Sequence, residues 1–323
     1  MKPEVVGIGE ALIDLVGMTP VSYGEVSAFQ KCFGGAPMNT LIGVSRLDSR
    51  AGAITAVGDD PFGQFLITEL EKNGVDTSRV KVKRGMRTTL SFVANEPKTG
   101  ERTFLFYREP WVQGTADSAL SPEDLDLDYI SHARILHVSG FALSHNPSRN
   151  AVLRAAKHAN KVGVTVSFDP TLRTDVWNSV RTLRSVYRQL LKLSDVATFS
   201  REEATFLFRT HNMAKAAKEA LKHGVKIVGI KLGSDGALLD TKEGTTVHLP
   251  GFQVNAVDTT GAGDGWNAGL LVGLLKGWDL QTCVTVANAV GALVVTKRGA
   301  ITALPHKTEL NTFLKEQDID IKL

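Results

Sequence analysis

Ile135-Leu136-His137-Val138 opens a stretch, closing at Leu232, whose rhythm decides the fold. A short apolar run of this kind, without polar alternation, reads as a strand buried on both faces. Pro147 then begins a helical stretch to about Asn160, with Gly163 beyond it; proline suits a first helical turn and glycine a helix end. Val164-Thr165-Val166-Ser167-Phe168 is the next strand, and a helix covers roughly Val180–Leu193. Val196-Ala197-Thr198-Phe199 follows as a strand, Met213–His223 as a helix ended by Gly224, and Val225–Leu232 again as a strand. This alternation predicts an α/β fold, a mostly parallel sheet with helices on both faces. Ligands of such sheets sit beyond the carboxyl ends of the strands, where the chain here turns polar.

Residues from about Gly17 to Lys31, and from Val80 to Tyr107, lack that rhythm. Thr88–Ala94 and Arg102–Tyr107 flank Asn95–Glu101, a turn-rich segment holding Pro97 and Gly100, which is a hairpin signature. A small antiparallel sheet built from about 17–31 and 80–108 is therefore expected to stand apart from the core as a lid, closing a pocket against water. The competing reading makes these strands extensions of the main sheet. With no internal repeat or low-complexity linker, residues 1–323 are read as one domain.

A chain of 323 residues with 43% hydrophobic and 22% charged content has enough apolar material for one large α/β core. Its net charge of +3 is spread without a basic tail or arginine stripe, so nucleic acid is not an expected partner. Cys32 and Cys283 lie far apart, and the eight histidines form no HxH or HExxH pattern, which argues against a disulfide scaffold or a zinc site. The N-terminus runs straight into Glu4-Val5-Val6-Gly7-Ile8-Gly9 without a signal peptide's apolar core, and no stretch is long enough to span a bilayer. A cytoplasmic protein is expected.

The chemistry concentrates at Asp258-Thr259-Thr260-Gly261-Ala262-Gly263-Asp264, ahead of an apolar run to Gly277. Small residues let backbone approach a ligand, and a helix opening at about Gly263 offers free N–H groups and a partial positive charge to an anion. Asp264, in that same turn, is placed to act as a base beside the anion. Backbone donors plus a base are what phosphoryl transfer to a hydroxyl requires. A lone GAGD reads as readily as an ordinary glycine turn; its context and the motifs elsewhere favour the phosphotransferase. Near the N-terminus, Gly34-Gly35-Ala36-Pro37-Met38-Asn39 allows close backbone approach, with Asn39 offering a donor and an acceptor to a hydroxyl. Asp14, ending a strand-like stretch, is a candidate for a pair of sugar hydroxyls, or a turn residue.

Taken together, Gly34–Asn39 and Asp258–Asp264 resemble the two signature regions of the ribokinase-like, PfkB-type carbohydrate kinases, and the likeness runs from the first strand to about Pro305. The resemblance implies a Rossmann-like three-layer α/β/α sandwich with a β-lid over the sugar. It implies that Asp264 is the base, that the backbone of Gly261, Ala262 and Gly263 forms the anion hole, and that Asp14, Gly34, Gly35 and Asn39 hold the sugar. Trp266 departs from the family, where Phe is usual. Ser200-Arg201-Glu202-Glu203 stands where the family has N-x-x-E. Ser200 replaces the Asn, while Glu203 keeps the carboxylate that would organise Mg²⁺, usually through water; the same residues also read as a helix N-cap and first turn. Lys231, Gly233 and Gly236 resemble the loop along ATP, Lys231 reading equally as a phosphate ligand or a solvated strand end. Asn288 would lie near the adenine, or simply on a helix surface.

Tyr107-Arg108 and Asp169-Pro170-Thr171-Leu172-Arg173 place two arginines where substrate oxygens or phosphate could meet them, unless they are surface cations. Within the family these elements, with Trp177 and Val295–Pro305, are most similar to bacterial and plant fructokinases, which implies ATP-dependent phosphorylation of the 6-hydroxyl of D-fructose. The runner-up is 2-keto-3-deoxygluconate kinase, because two arginines would suit that sugar's carboxylate. A catalytically silent, kinase-like binding protein is the third reading, disfavoured by the intact Asp264 and Gly261–Gly263 turn. The family also implies a monovalent cation (K⁺) near Asp258 and a homodimer formed through the lid.

Overall fold

The computed structural model describes residues 2–19, 21–95 and 102–321. Thirteen strands follow in chain order: β1 (Val5–Ile8), β2 (Leu12–Gly17), β3 (Phe29–Gly34), β4 (Ala51–Gly58), β5 (Asp76–Lys83), β6 (Leu90–Asn95), β7 (Arg102–Tyr107), β8 (Ile135–Ser139), β9 (Thr165–Asp169), β10 (Val196–Ser200), β11 (Ile227–Lys231), β12 (Ala237–Thr241) and β13 (Thr246–Leu249). Nine form one sheet in the order β13-β12-β11-β10-β9-β8-β1-β4-β5. It is parallel from β5 to β11 and antiparallel at the β11-β12-β13 edge.

The central strands β1, β4 and β8 are buried along their whole length, as parallel strands covered on both faces must be. Their side chains split between two cores by the two-residue period of a strand. Val5 and Ile135 join Leu41, Leu271 and Val290 of the helices Ala36–Arg46, Ala262–Lys276 and Leu280–Val294 on one face. Val6, Ile8, Leu136 and Val138 join Val152, Leu183 and Ala217 of the helices Ser148–Lys161, Val180–Leu191 and Met213–Leu221 on the other. The result is the expected three-layer α/β/α sandwich.

A separate four-stranded sheet, β3-β2-β6-β7, forms the lid. Its composition corrects the expected one in three respects. Asp14 lies within β2 instead of ending a strand-like stretch, and β2 itself belongs to the lid. Residues 80–83 belong to β5, the charged, partly exposed edge of the main sheet paired in parallel with β4. The lid is also mixed: β2 runs parallel to β6, because the chain makes the β4-β5 excursion into the main sheet between them. The turn expected at 95–101 lies, from residue 96 on, outside the described residues. Among the described residues no helix is long and apolar enough to cross a membrane.

Candidate active site

The carboxyl ends of β9, β10 and β11 open into a cavity of about 810 Å³, roofed by Leu12, Asp14, Phe104 and Phe106 of the lid. Leu12 with Asp14, and Phe104 with Phe106, are two residues apart on their strands, so each pair shares one face. Gly34 does not itself line the cavity. Its contribution is space, since a Cβ there would lie 2.5 Å from the Asp14 carboxylate. Gly35 caps the helix Ala36–Arg46 and brings Asn39 to the wall one turn later.

Opposite, Gly261 caps the helix Ala262–Lys276 in the left-handed region (φ 77°), packed so tightly that a Cβ would lie 2.8 Å from the Ala300 backbone. The first-turn N–H groups of this helix, which have no intrahelical acceptor, border the cavity beside Asp264. Asn39 Nδ2 donates to Asp264 Oδ2 (2.8 Å), and Thr40 Oγ1 donates to the Asp264 carbonyl (3.2 Å). The two halves of the chain thus meet at the Asp264 carboxylate. Burial pushes the Asp264 carboxyl up to about 6; the Asn39 hydrogen bond opposes that rise, the neighbouring Asp169 adds to it, and Lys231 and Arg173 oppose it.

Lys231 is not a solvated strand end. Its Nζ donates to Asp169 Oδ2 (2.6 Å), which also accepts from Asn267 Nδ2 (2.6 Å), while Asp169 Oδ1 accepts from the Thr171 N–H (2.9 Å). Burial opposes ionisation of Asp169, but the ammonium and these hydrogen bonds outweigh it and hold the carboxyl at about 2. Burial likewise works against the Lys231 charge, and the Asp169 and Glu203 carboxylates outweigh it and raise that pKa. The two directions agree on an ionised pair. A Cβ on Gly263 would lie 3.3 Å from Lys231 Nζ, so the ammonium sits against the helix turn that would receive the phosphate.

Glu203 serves first as a helix cap: its Oε2 accepts from the Ser200 N–H (2.7 Å) and Ser200 Oγ accepts from the Glu203 N–H (3.1 Å). Its Oε1 accepts from the Leu172 N–H (2.8 Å), and burial, with Asp169 nearby, raises its pKa. Gly233 and Gly236 line the cavity as expected. Asn288 lines it too, but its carboxamide accepts from Trp266 Nε1 (2.8 Å) and donates to the Pro250 carbonyl (3.0 Å), which locks the aromatic that departs from the family pattern. Arg173 is on the wall, its guanidinium 4.5 Å over the Phe104 ring of the lid.

Tyr107 and Arg108 are not on the wall. Tyr107 faces outward, 46% exposed. Arg108 is fully buried behind the cavity, donating from Nε to Asp117 Oδ2 (2.7 Å) and from Nη1 to Ser144 Oγ (2.5 Å), with its guanidinium 4.6 Å over Phe141. Successive strand residues point to opposite faces, so Phe106 takes the cavity face of β7 and Tyr107 the outer one. Arg108, just past the strand, is drawn to an aspartate nine residues on. Three wall groups escaped sequence reasoning: Asp169 as an ion-pair partner, the aromatic set Phe104, Phe106 and Phe141, and Glu10. Glu10 did carry a signal, being the lone charge in the apolar run from Val5 to Leu12.

A buried carboxylate at a helix N-terminus, facing a lidded cavity beside an ionised lysine, is the kind of arrangement that phosphoryl transfer to a hydroxyl requires. Residues 2–307 match the pfkB family carbohydrate kinase profile. The chain is 37% identical over 98% of its length, and 92% of the relative's, to Probable fructokinase-3 of Arabidopsis thaliana. Among solved structures it is similar to a double mutant of the fructokinase of Vibrio cholerae O395 in fructose, ADP and potassium ion bound form, with a TM-score of 0.85 and 33% identity, covering 97% and 99% of the two chains. It is similar as well to the aminoimidazole riboside kinase of Salmonella enterica, complexed with aminoimidazole riboside and an ATP analogue (TM-score 0.83, 32% identity, 96% and 99% covered). The chain belongs to the pfkB family of carbohydrate kinases and is a phosphotransferase acting on a sugar hydroxyl.

Proposed function

We propose that the protein transfers the γ-phosphoryl group of ATP to the 6-hydroxyl of D-fructose, giving fructose 6-phosphate and ADP. The observation that carries the choice of sugar is the burial of Arg108 against Asp117 and Ser144. Of the two arginines that would have served a sugar acid, only Arg173 lines the cavity, together with the carboxyl groups of Glu10, Asp14 and Asp264. Such a wall favours a neutral polyhydroxy sugar over 2-keto-3-deoxygluconate. The fructokinase relatives support the same reading.

In this reading Asp14 and Gly35 hold the sugar, and Asn39, whose Oδ1 has no partner among the described residues, receives a sugar hydroxyl while its amide orients Asp264. Asp264 takes the hydroxyl proton, and the backbone of Gly261, Ala262 and Gly263 with Lys231 balances charge on the transferring phosphoryl group. Gly233, Gly236 and the neighbourhood of Asn288 accommodate the nucleotide. No group of three or more candidate metal ligands occurs among the described residues. Glu203, both oxygens already bonded to backbone N–H groups, suits a hydrated Mg²⁺ that arrives with the nucleotide and is met through water. Mg²⁺ would neutralise phosphate charge. A K⁺ ion near Asp258, and a homodimer through the lid, whose Leu105 and Tyr107 are each 46% exposed, complete the reading; cation titration and light scattering check them.

Side-by-side kcat/KM with D-fructose and 2-keto-3-deoxygluconate, at fixed ATP and Mg²⁺, tests the assignment. A clear preference for fructose is expected, and a preference for the acid would make Arg173 its carboxylate ligand. Asp264 must be ionised to accept a proton, and its carboxyl titrates at about 6 in the free enzyme. Activity is therefore present above that pH and lost below it: kcat/KM for the sugar falls about tenfold per pH unit below the midpoint. A profile flat to pH 5 would remove Asp264 as the base.

A further inference from the structure

Glu10 follows β1 and is 2% exposed, on the inner wall of the cavity with Leu12, Phe106 and Phe141. Its Oε1 accepts two hydrogen bonds, from the Ala36 N–H at the start of the helix Ala36–Arg46 (3.1 Å) and from Ser139 Oγ at the end of β8 (3.1 Å). Ser139 Oγ in turn accepts from the Phe141 N–H (3.2 Å), so its hydroxyl proton is committed to Glu10. Glu10 Oε2 has no hydrogen-bond partner among the described residues. Two donors on one oxygen make that oxygen the carbonyl of the acid and leave the proton to the other. A buried O–H without an acceptor is costly, and a ligand that supplies one recovers that cost.

We propose that Glu10 is a specificity-determining residue that presents a carboxylic acid O–H, from Oε2, to a hydroxyl oxygen of the bound sugar. The inference rests on the fructose reading above and adds to it a residue and a protonation state. Burial raises the Glu10 carboxyl to about 8; the hydrogen bonds oppose this, the Asp117 carboxylate adds to it and the Arg108 guanidinium opposes it. Tyr187, from the helix Val180–Leu191, also feels the Glu10 charge, and burial raises its phenol well above the ordinary value. On the cavity side Asp14, Asp264 and Arg173 share the wall, and Asp264, at about 6, is already ionised at neutral pH. Asp169 and Glu203 line the cavity too, Asp169 held ionised beside Lys231 and Glu203 raised by burial. Between pH 7 and 9 the Glu10 carboxyl changes state while fructose itself does not titrate, and the Glu10→Gln variant below separates its titration from that of Glu203. Ionisation turns a donor into an acceptor, so the hydrogen bond to the sugar is lost and binding weakens as pH rises through about 8.

The test is calorimetric titration of the full chain with D-fructose, without nucleotide, from pH 7 to pH 9. Wild-type Kd is expected to rise by about tenfold across that range. Glu10→Gln keeps the arrangement, its carbonyl taking the Ala36 and Ser139 bonds and its NH₂ replacing the O–H. This variant should bind at pH 7 within about threefold of wild type and show no rise to pH 9. Glu10→Leu should weaken binding by about tenfold or more at pH 7. If Glu10→Gln follows the wild-type rise, or Glu10→Leu binds as wild type does, the inference is overturned while the fructose reading stands. Should Glu10→Leu not fold, the Glu10→Gln series decides alone. Wild type that binds no fructose at pH 7 overturns the fructose reading itself, and this inference with it.

Discussion

Replacing Asp264 by Asn should lower kcat by about 10²–10⁴-fold while the KM for ATP stays nearly unchanged. The substitution is close to isosteric, and its carbonyl oxygen still accepts the Asn39 amide that now reaches Asp264 Oδ2 at 2.8 Å. Position in the first turn of the helix Ala262–Lys276 is preserved, so the backbone at Gly261–Gly263 proposed to receive the phosphate is unchanged. What disappears is the carboxylate proposed as the base, the group that Asn39 of the other signature region holds. Steady-state kinetics with each substrate varied, plus a circular dichroism spectrum to confirm folding, measure the effect. Turnover near the wild-type rate would mean that the hydroxyl proton leaves by another route.

Arg108→Ala is expected to act on stability instead of substrate affinity. The guanidinium and its Asp117 partner are 0% and 1% exposed, and Asp117 also accepts from Thr89 Oγ1. Removing one member of a buried pair strands the other charge, which typically costs about 3–5 kcal/mol. For a domain of this size that corresponds to a Tm lower by roughly ten degrees. Stacking on Phe141, at 4.6 Å, is lost as well, which adds a packing term. Replacing both partners by leucine should recover part of the loss, because no charge is then left unpaired, while the buried Thr89 and Ser144 hydroxyls still lose a partner. Thermal denaturation of the single and double variants distinguishes this role from the ligand role expected of a lid arginine. An unchanged Tm with a raised sugar KM would restore the latter.

How far the site was legible depended on how local its determinants are. Gly261 and Asp264 needed only a helix start, and their identities follow from the φ of 77° at Gly261 and from a first-turn position. Glu203 was legible as a helix cap, since the capping bond lies within four residues. Lys231 reads equally as a phosphate ligand or a solvated strand end because its partner, Asp169, lies 62 residues away and two strands over in the sheet. Asn39 was read as a sugar ligand, and its amide proved to reach 225 residues along the chain to the base. Glu10 was passed over because neither Ala36 nor Ser139 is adjacent to it in sequence.

The amino-acid sequence by itself determined the layer architecture, the parallel core and the two glycine-rich turns. Strand and helix periods, caps and positive-φ glycines are properties of a few consecutive residues, and they hold wherever the segment lands. Only the tertiary structure decided which strands make the lid, which polar side chains line the cavity and what charge each carries. Lid membership followed from how β5 pairs with β4, and Arg108 turned inward because Asp117 and Ser144 were there to receive it. Long polar side chains at strand ends have several rotamers of similar energy, and burial with a distant partner selects among them. The same burial raises the Glu10 carboxyl to about 8 and the Asp264 carboxyl to about 6, the range in which the roles proposed for them require each to change its protonation.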